Sequence, residues 1–178
     1  MKYALLILVL QVTSEVSAQT IAFTPSFVGG IRAADVALEI ALPTTTTSVE
    51  ALRTWTIPAD TFPSLIYAGF ESTCLTRGEN NTNNKNARLY FGGIAGTQIL
   101  AEASTTANQT FLQSVRCWVD SGTTFMCYTQ RCIGASCAQS SATYTFTPSA
   151  SLAITCAGYT NPAGDVTLTG QASYWLMK

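Results

Sequence analysis

The sequence predicts an all-β fold, a two-sheet antiparallel sandwich in a single domain. Three observations point there. Turn signals recur at short spacing and separate roughly eight to ten extended segments. Threonine, serine and asparagine stand where most soluble domains carry lysine and glutamate. Only 11% of the residues are charged, against about 25% in an average domain. Finally, no segment keeps helical periodicity beyond about two turns. With 178 residues and a 47% hydrophobic fraction the chain can bury one core. No fixed-period repeat or linker divides it.

The elements follow in order. MKYALLILVLQVTSEVSAQ places Lys2 before an apolar run from Tyr3 to Val12, broken only by Gln11, and ends in Val16-Ser17-Ala18. This is the pattern of a signal peptide over residues 1–18, cleaved before Gln19, leaving 19–178 as one β-sandwich domain. The rival is an N-terminal strand or helix buried against a partner. No later apolar run reaches the roughly 18 residues of a span, so no membrane span is expected in the mature chain. TIAFTPSF alternates weakly and is broken by Pro25. ADVALEIAL fits a short helix or a strand, and the threonine run after it favours extended chain. LRTWTIPAD reads as a strand stopping at Pro58. It has Arg53, Trp55 and Ile57 on one face and Leu52, Thr54 and Thr56 on the other. SLIYAGFESTCLTR is too long for one simple strand, and Gly69 marks a bulge or bend. ARLYFGG and TQILAEAST are strands joined through Gly92, Gly93 and Gly96. TFLQSVRCWVDSG and TTFMCYTQRC form the clearest hairpin, with Phe111, Gln113, Val115, Cys117 and Val119 sharing a face. SATYTFTPS, SLAITCAGYT and VTLTGQASYWLM complete the set, with NPAG as a turn between the last two.

Six cysteines, Cys74, Cys117, Cys127, Cys132, Cys137 and Cys156, suit an exported, disulfide-bonded chain and allow 15 connectivities. A three-residue loop centred on Gly122 puts Cys117 opposite Cys127, within bonding reach. Cys132 with Cys137, and Cys74 with Cys156, are candidate pairs without that geometric warrant. A zinc site is the weaker alternative, because the chain has no histidine and no CxxC. Asn80 and Asn108 begin sequons and are candidate glycosylation sites in a host that glycosylates exported chains.

The segment NNTNNKN reads as a loop, because asparagine tolerates left-handed backbone and bonds its own main chain. Lys85 near its end is either a solvated charge or, with Asn83 and Asn84, part of a ligand-facing rim. TWTIPADTF, NNTNNKNARLYFGG, TQILAE and GDVTLTGQASYWL resemble the small jelly-roll virion proteins of tailed bacteriophages. Those proteins carry an IPA-T strand end, an Asn-rich loop with a lysine before LRLYFGG, and a late strand of DITL type. The resemblance spans residues 53–176. It implies a jelly-roll-like sandwich serving as a structural or appendage module: tail fibre, capsid decoration or receptor binding. It also implies a homo-oligomer, with a trimer favoured, and it brings no catalytic residue. The signal-like N-terminus and the cysteines depart from a cytoplasmically assembled phage protein. A viral-type jelly roll in an exported or virion setting accommodates both.

Chemistry is sparse. Without histidine the commonest general base and metal ligand is missing. Asp35, Glu39, Glu50, Asp60, Glu71, Glu79, Glu102, Asp120 and Asp165 are scattered, with no spacing that forces two across a cleft. No GxSxG, phosphate-binding glycine loop or calcium loop occurs. Trp55, Tyr67, Tyr90, Trp118, Tyr128, Tyr144, Tyr159 and Trp175 either stack on sugars or, as strand periodicity favours, serve core and interface. The expectation is no enzyme, no cofactor and no metal. A net charge of −1 argues against nucleic acid. The expected role is a structural or attachment module of a virion or extracellular assembly, with other such proteins and surface glycans as partners. The alternative is a secreted, disulfide-stabilised, lectin-like or adhesive sandwich. A β-sandwich carbohydrate hydrolase is the enzyme rival.

Overall fold

A computed structural model describes residues 31–62 and 68–176, so the signal-like segment, the TIAFTPSF stretch and Tyr67 lie outside the described residues. Ten strands run through them: β1 (Ile31–Pro43), β2 (Glu50–Ile57), β3 (Gly69–Gly78), β4 (Asn84–Phe91), β5 (Thr97–Ser104), β6 (Thr110–Ser121), β7 (Thr124–Ile133), β8 (Ser136–Thr145), β9 (Leu152–Asn161) and β10 (Val166–Leu176). No helix occurs among the described residues. ADVALEIAL is therefore strand, paired with β10 at residues 34–38 and again at Leu42, with an irregularity between.

Two antiparallel sheets result, ordered β1-β10-β3-β6-β7-β8 and β2-β9-β4-β5. Set β7 and β8 aside and four strands face four. Each sheet then alternates strands from the early and late parts of the chain, and the chain crosses between sheets after β1, β2, β3, β5, β8 and β9. That is the winding of a jelly roll. The β7–β8 hairpin is an addition that widens one sheet beyond the other. β9 lies under β10 and β5 under β7, leaving most of β8 past the rim of the smaller sheet.

Alternation fixes the faces. In β6 Phe111, Gln113, Val115, Cys117 and Val119 are all buried, as their spacing predicts, while Arg116 is exposed. Phe70 of β3 is fully buried at the centre. It meets Trp55, Phe62, Phe91 and Phe125 at ring separations of 6.4, 6.3, 5.6 and 5.3 Å. Each such ring contributes about 1.5–3 kcal/mol through burial, and edge-to-face contacts add to that. Gly69 marks the start of β3 because a Cβ there would lie 2.0 Å from the Cys117 carbonyl oxygen. In the β4–β5 turn Gly92 and Gly93 have φ of 80° and 77°, where other residues are strained.

Two local expectations need correction. Leu52 packs partly against the core and does not stay on the polar face. A register shift between Ala51 and Arg53 rotates it inward. The β6–β7 connection is not a three-residue loop either. Ser121 pairs with Thr124 around a two-residue turn, and a bulge at Asp120 absorbs the extra residue. The net register is the same, and Cys117 still faces Cys127.

Three disulfides hold the sandwich. Cys117–Cys127 and Cys132–Cys137 join directly opposed residues of β6–β7 and β7–β8, with Cα separations of 4.0 and 4.1 Å. The first lies inward and is fully buried on both sides; the second lies on the outer face of the added hairpin. Cys74–Cys156 crosses from β3 to β9 and ties one sheet to the other over 82 residues. Chain-entropy reasoning gives about 4.5 kcal/mol for a loop that long and about 3 kcal/mol for one near ten residues. Replacing Cys74 and Cys156 together by Ala is expected to lower Tm by roughly 10 °C or more. The Cys132/Cys137 pair should cost distinctly less. Differential scanning calorimetry of both double variants checks the order.

Candidate functional site

Two places concentrate polar side chains. The first is the Asn-rich loop between β3 and β4. Lys85 is its centre, and its side chain is 0% exposed. It is neither a solvated charge nor part of a ligand-facing rim. The reason is register: Lys85 is the second residue of β4 and points inward, its stem lying over Gly78. Its Nζ donates to the carbonyls of Asn81 at 2.6 Å and Asn83 at 3.0 Å. The loop closes around the ammonium, because a buried cation needs acceptors. The Asn81 and Asn83 side chains are turned away from it. Their Nδ2 groups donate to the Asp165 carboxylate at 2.8 and 2.6 Å, which ties the loop to the β9–β10 turn. Asn84 is exposed. Asn80 and Asn108 are both exposed, and Asn108 Nδ2 donates to Asn80 Oδ1 at 3.0 Å, so the two sequon asparagines touch.

The second place is the outer face of the larger sheet. A concavity of about 810 Å³ runs over β3, β6, β7 and β8. Strand register builds it in rows. Tyr174, Glu71, Arg116, Tyr128 and Ser141 lie side by side across β10, β3, β6, β7 and β8. The next row brings Thr73, Ser114, Gln130 and Gln139 together. Trp118 stacks on Tyr128, with ring centroids 5.3 Å apart and planes 30° apart. Arg116 Nε lies 3.6 Å from Glu71 Oε2, and Thr73 donates to Ser114 at 3.1 Å. Burial pushes the Tyr174 phenol up to about 12, helped by its hydrogen bond to Glu71 and that carboxylate's charge, and opposed by Arg116.

Several of the described acids have partners of their own. Glu102 pairs with Arg131 at 3.0 Å. Glu50 accepts from the backbone N–H groups of Thr45 and Thr46 at 2.7 and 3.0 Å. Slight burial raises its pKa, but the hydrogen bonds from Thr45 and Thr46 together outweigh that and hold the carboxyl below its usual range. Among the described residues no group of three His, Cys, Asp or Glu side chains is placed to hold a metal ion. None of their helices is long and apolar enough to cross a membrane.

The aromatic candidates divide. Trp55 and Tyr90 are buried, and Tyr144 packs on Phe91. Tyr159 lies under the Arg88 guanidinium, 5.9 Å from its ring centroid. The Trp175 side chain lies outside the described residues. Among the described residues, Trp118 and Tyr128 are the candidate aromatics that line the groove. Sequence reasoning had both residues but not their grouping with Glu71, Arg116, Gln130 and Gln139. The signal was there in the other half of the β6 alternation, where Ser114, Arg116 and Trp118 face outward together.

No family model matches the chain, and no curated protein matches it. Among solved structures it is similar to the VP2 subviral particle of infectious bursal disease virus, at 12% identity and a TM-score of 0.33, covering 89% of this chain and 37% of that one. It is also similar to that virus's Gx strain structure, at 10% identity and TM-score 0.31, over 89% and 36% of the two chains. For the Gt strain structure the values are 12%, 0.29, 95% and 42%. The chain thus spans well under half of each solved chain, and superpositions this loose carry no functional argument.

Two outcomes follow from this geometry. Lys85→Met keeps the stem but leaves the Asn81 and Asn83 carbonyls without their donor, at a cost of about 1–3 kcal/mol for each group left buried. Urea unfolding should show the loss, and hydrogen exchange should show the 79–84 segment opening first. The raised Tyr174 pKa favours the folded state below about pH 10, the unfolded tyrosine value. That contribution is lost as pH rises toward about 12. Burial raises Tyr144 as well, so ultraviolet titration should show late tyrosinate steps, of which Tyr174→Phe removes one.

Proposed function

We propose that the chain is a non-enzymatic structural or attachment module of a virion or extracellular assembly, and that it works as a homo-oligomer. One observation carries this reading. β8 is an edge strand with nearly every residue exposed on both faces, and it bears no charge. Isolated sheet edges usually carry lysine, proline or a bulge that discourages pairing. β8 has none of these, and its ladder with β7 is unbroken from end to end.

The edge is also held ready. The 4.1 Å Cα separation at Cys132/Cys137 is that of a non-hydrogen-bonded pair. Residues 137, 139, 141, 143 and 145 therefore turn their backbone N–H and C=O groups toward the free edge. A second copy of the chain is the proposed occupant, since an uncharged edge does not repel its like. Pairing of β8 with β8 closes as a two-fold dimer, so the trimer that the sequence resemblance favours needs β8 to dock on a different surface of the next copy. Three disulfides suit an oxidising, extracellular or virion setting.

Native mass spectrometry of the purified full chain tests the reading. A homo-oligomer is expected, and a monomer at micromolar concentration sinks it. Ser141→Pro removes an edge N–H without touching the β7 ladder and should shift the population to monomer at unchanged Tm.

A further inference from the structure

We infer that the outer-face groove of the larger sheet binds a neutral glycan. The inference deepens the attachment reading above and rests on it. Its chemistry is that of sugar recognition: a flat apolar ring surface beside amides and hydroxyls. Tyr128 is 57% exposed even though one side stacks on Trp118, so ring surface remains open to the groove. Pyranose rings present C–H faces that pack on such surfaces, and their rims carry hydroxyls that need both donors and acceptors. Gln130, Gln139 and Ser114 supply both kinds within two rows of the same face.

Charge sets the class. Both cations of the β6–β7 hairpin are paired, Arg116 with Glu71 at 3.6 Å and Arg131 with Glu102 at 3.0 Å. No uncompensated cation of that hairpin faces the groove, so a sialylated or sulfated chain gains nothing there. A neutral oligosaccharide does, because a carboxylate–guanidinium pair accepts and donates to vicinal hydroxyls without a net charge. The 810 Å³ concavity lies within the size range of small-ligand sites, about 300–1,000 Å³. Tyr128, Thr129, Gln130 and Gln139, four of the ten lining residues, stand on β7 and β8, so the hairpin that widens the sheet also completes the site.

A glycan array probed with the full chain, holding neutral, sialylated and sulfated oligosaccharides, tests this. Saturation-transfer NMR on the neutral hits follows. Binding to neutral glycans is expected, with about a tenfold loss in Tyr128→Ala and retention in Tyr128→Phe. Tyr128 is largely exposed, so circular dichroism should show both variants folded. Gln130→Ala should weaken binding independently. An array without neutral hits, selection of acidic glycans only, or a Tyr128→Ala variant that binds like the parent overturns the inference. Native mass is read on the same samples. An intact oligomer that binds no glycan sinks this inference alone, whereas a monomer that still binds sinks the assembly reading alone.

Discussion

Six strands facing four is the constraint on which the rest of the molecule depends. The eight-stranded roll satisfies itself, since each of its sheets buries its apolar face against the other. A hairpin added to one sheet has only part of a partner. β7 meets that condition by burying Phe125 and Cys127 beneath the margin of the smaller sheet. Most of β8 lies past that margin and offers serine, alanine, glutamine and threonine to solvent on both sides, while Tyr144 reaches back to Phe91 of β4. It is fixed by other means. Cys132–Cys137 holds one end, a Thr129–Ser140 hydroxyl pair at 2.7 Å holds the middle, and Tyr144 packs against Phe91 at the other. The same widening creates the outer concavity and the open edge, so both candidate interaction surfaces come from one insertion.

Inside the roll, polar groups are placed with similar economy. Gln113 donates to the Ala87 carbonyl at 2.9 Å and so bonds one sheet to the other beside Cys74. Ser72 and Ser173 share a hydrogen bond of 2.8 Å between neighbouring strands. Lys85 is the extreme case. Its ammonium is buried and held by the neutral carbonyls of Asn81 and Asn83, whose side-chain amides donate in turn to the Asp165 carboxylate. Main chain can do this only if it curls back on itself, and consecutive asparagines curl readily because their side chains tolerate and support such turns.

The strands were legible because their alternation is strong. β6 declared its buried face residue by residue, and the Cys117–Cys127 bridge was legible from an assumed three-residue loop because the actual two-residue turn and the bulge at Asp120 give the same register. β8 was read only in its C-terminal half, since SCAQSS has neither apolar alternation nor β-branched residues. Its strand character comes from β7 and the disulfide, which no local pattern carries. Lys85 misled for a related reason. A lone lysine beside asparagines looks solvated by composition, and only the inward register of β4 together with the bare Cα of Gly78 makes room for its stem. The groove was invisible as a unit because its members come from four strands, the consecutive β6, β7 and β8 and the much earlier β3. Only the lateral pairing of β3, β6, β7 and β8 makes neighbours of Glu71, Arg116, Tyr128 and Gln139.

The enclosure of Lys85 has a chemical corollary. Amine-directed reagents need a nitrogen they can reach, and the native fold buries this one. Proteases that cut after basic residues must first draw the main chain into their cleft, which the closed loop resists. A covalent tag or a cleavage at Lys85 would therefore be a record of the past, marking molecules that had once opened at that corner.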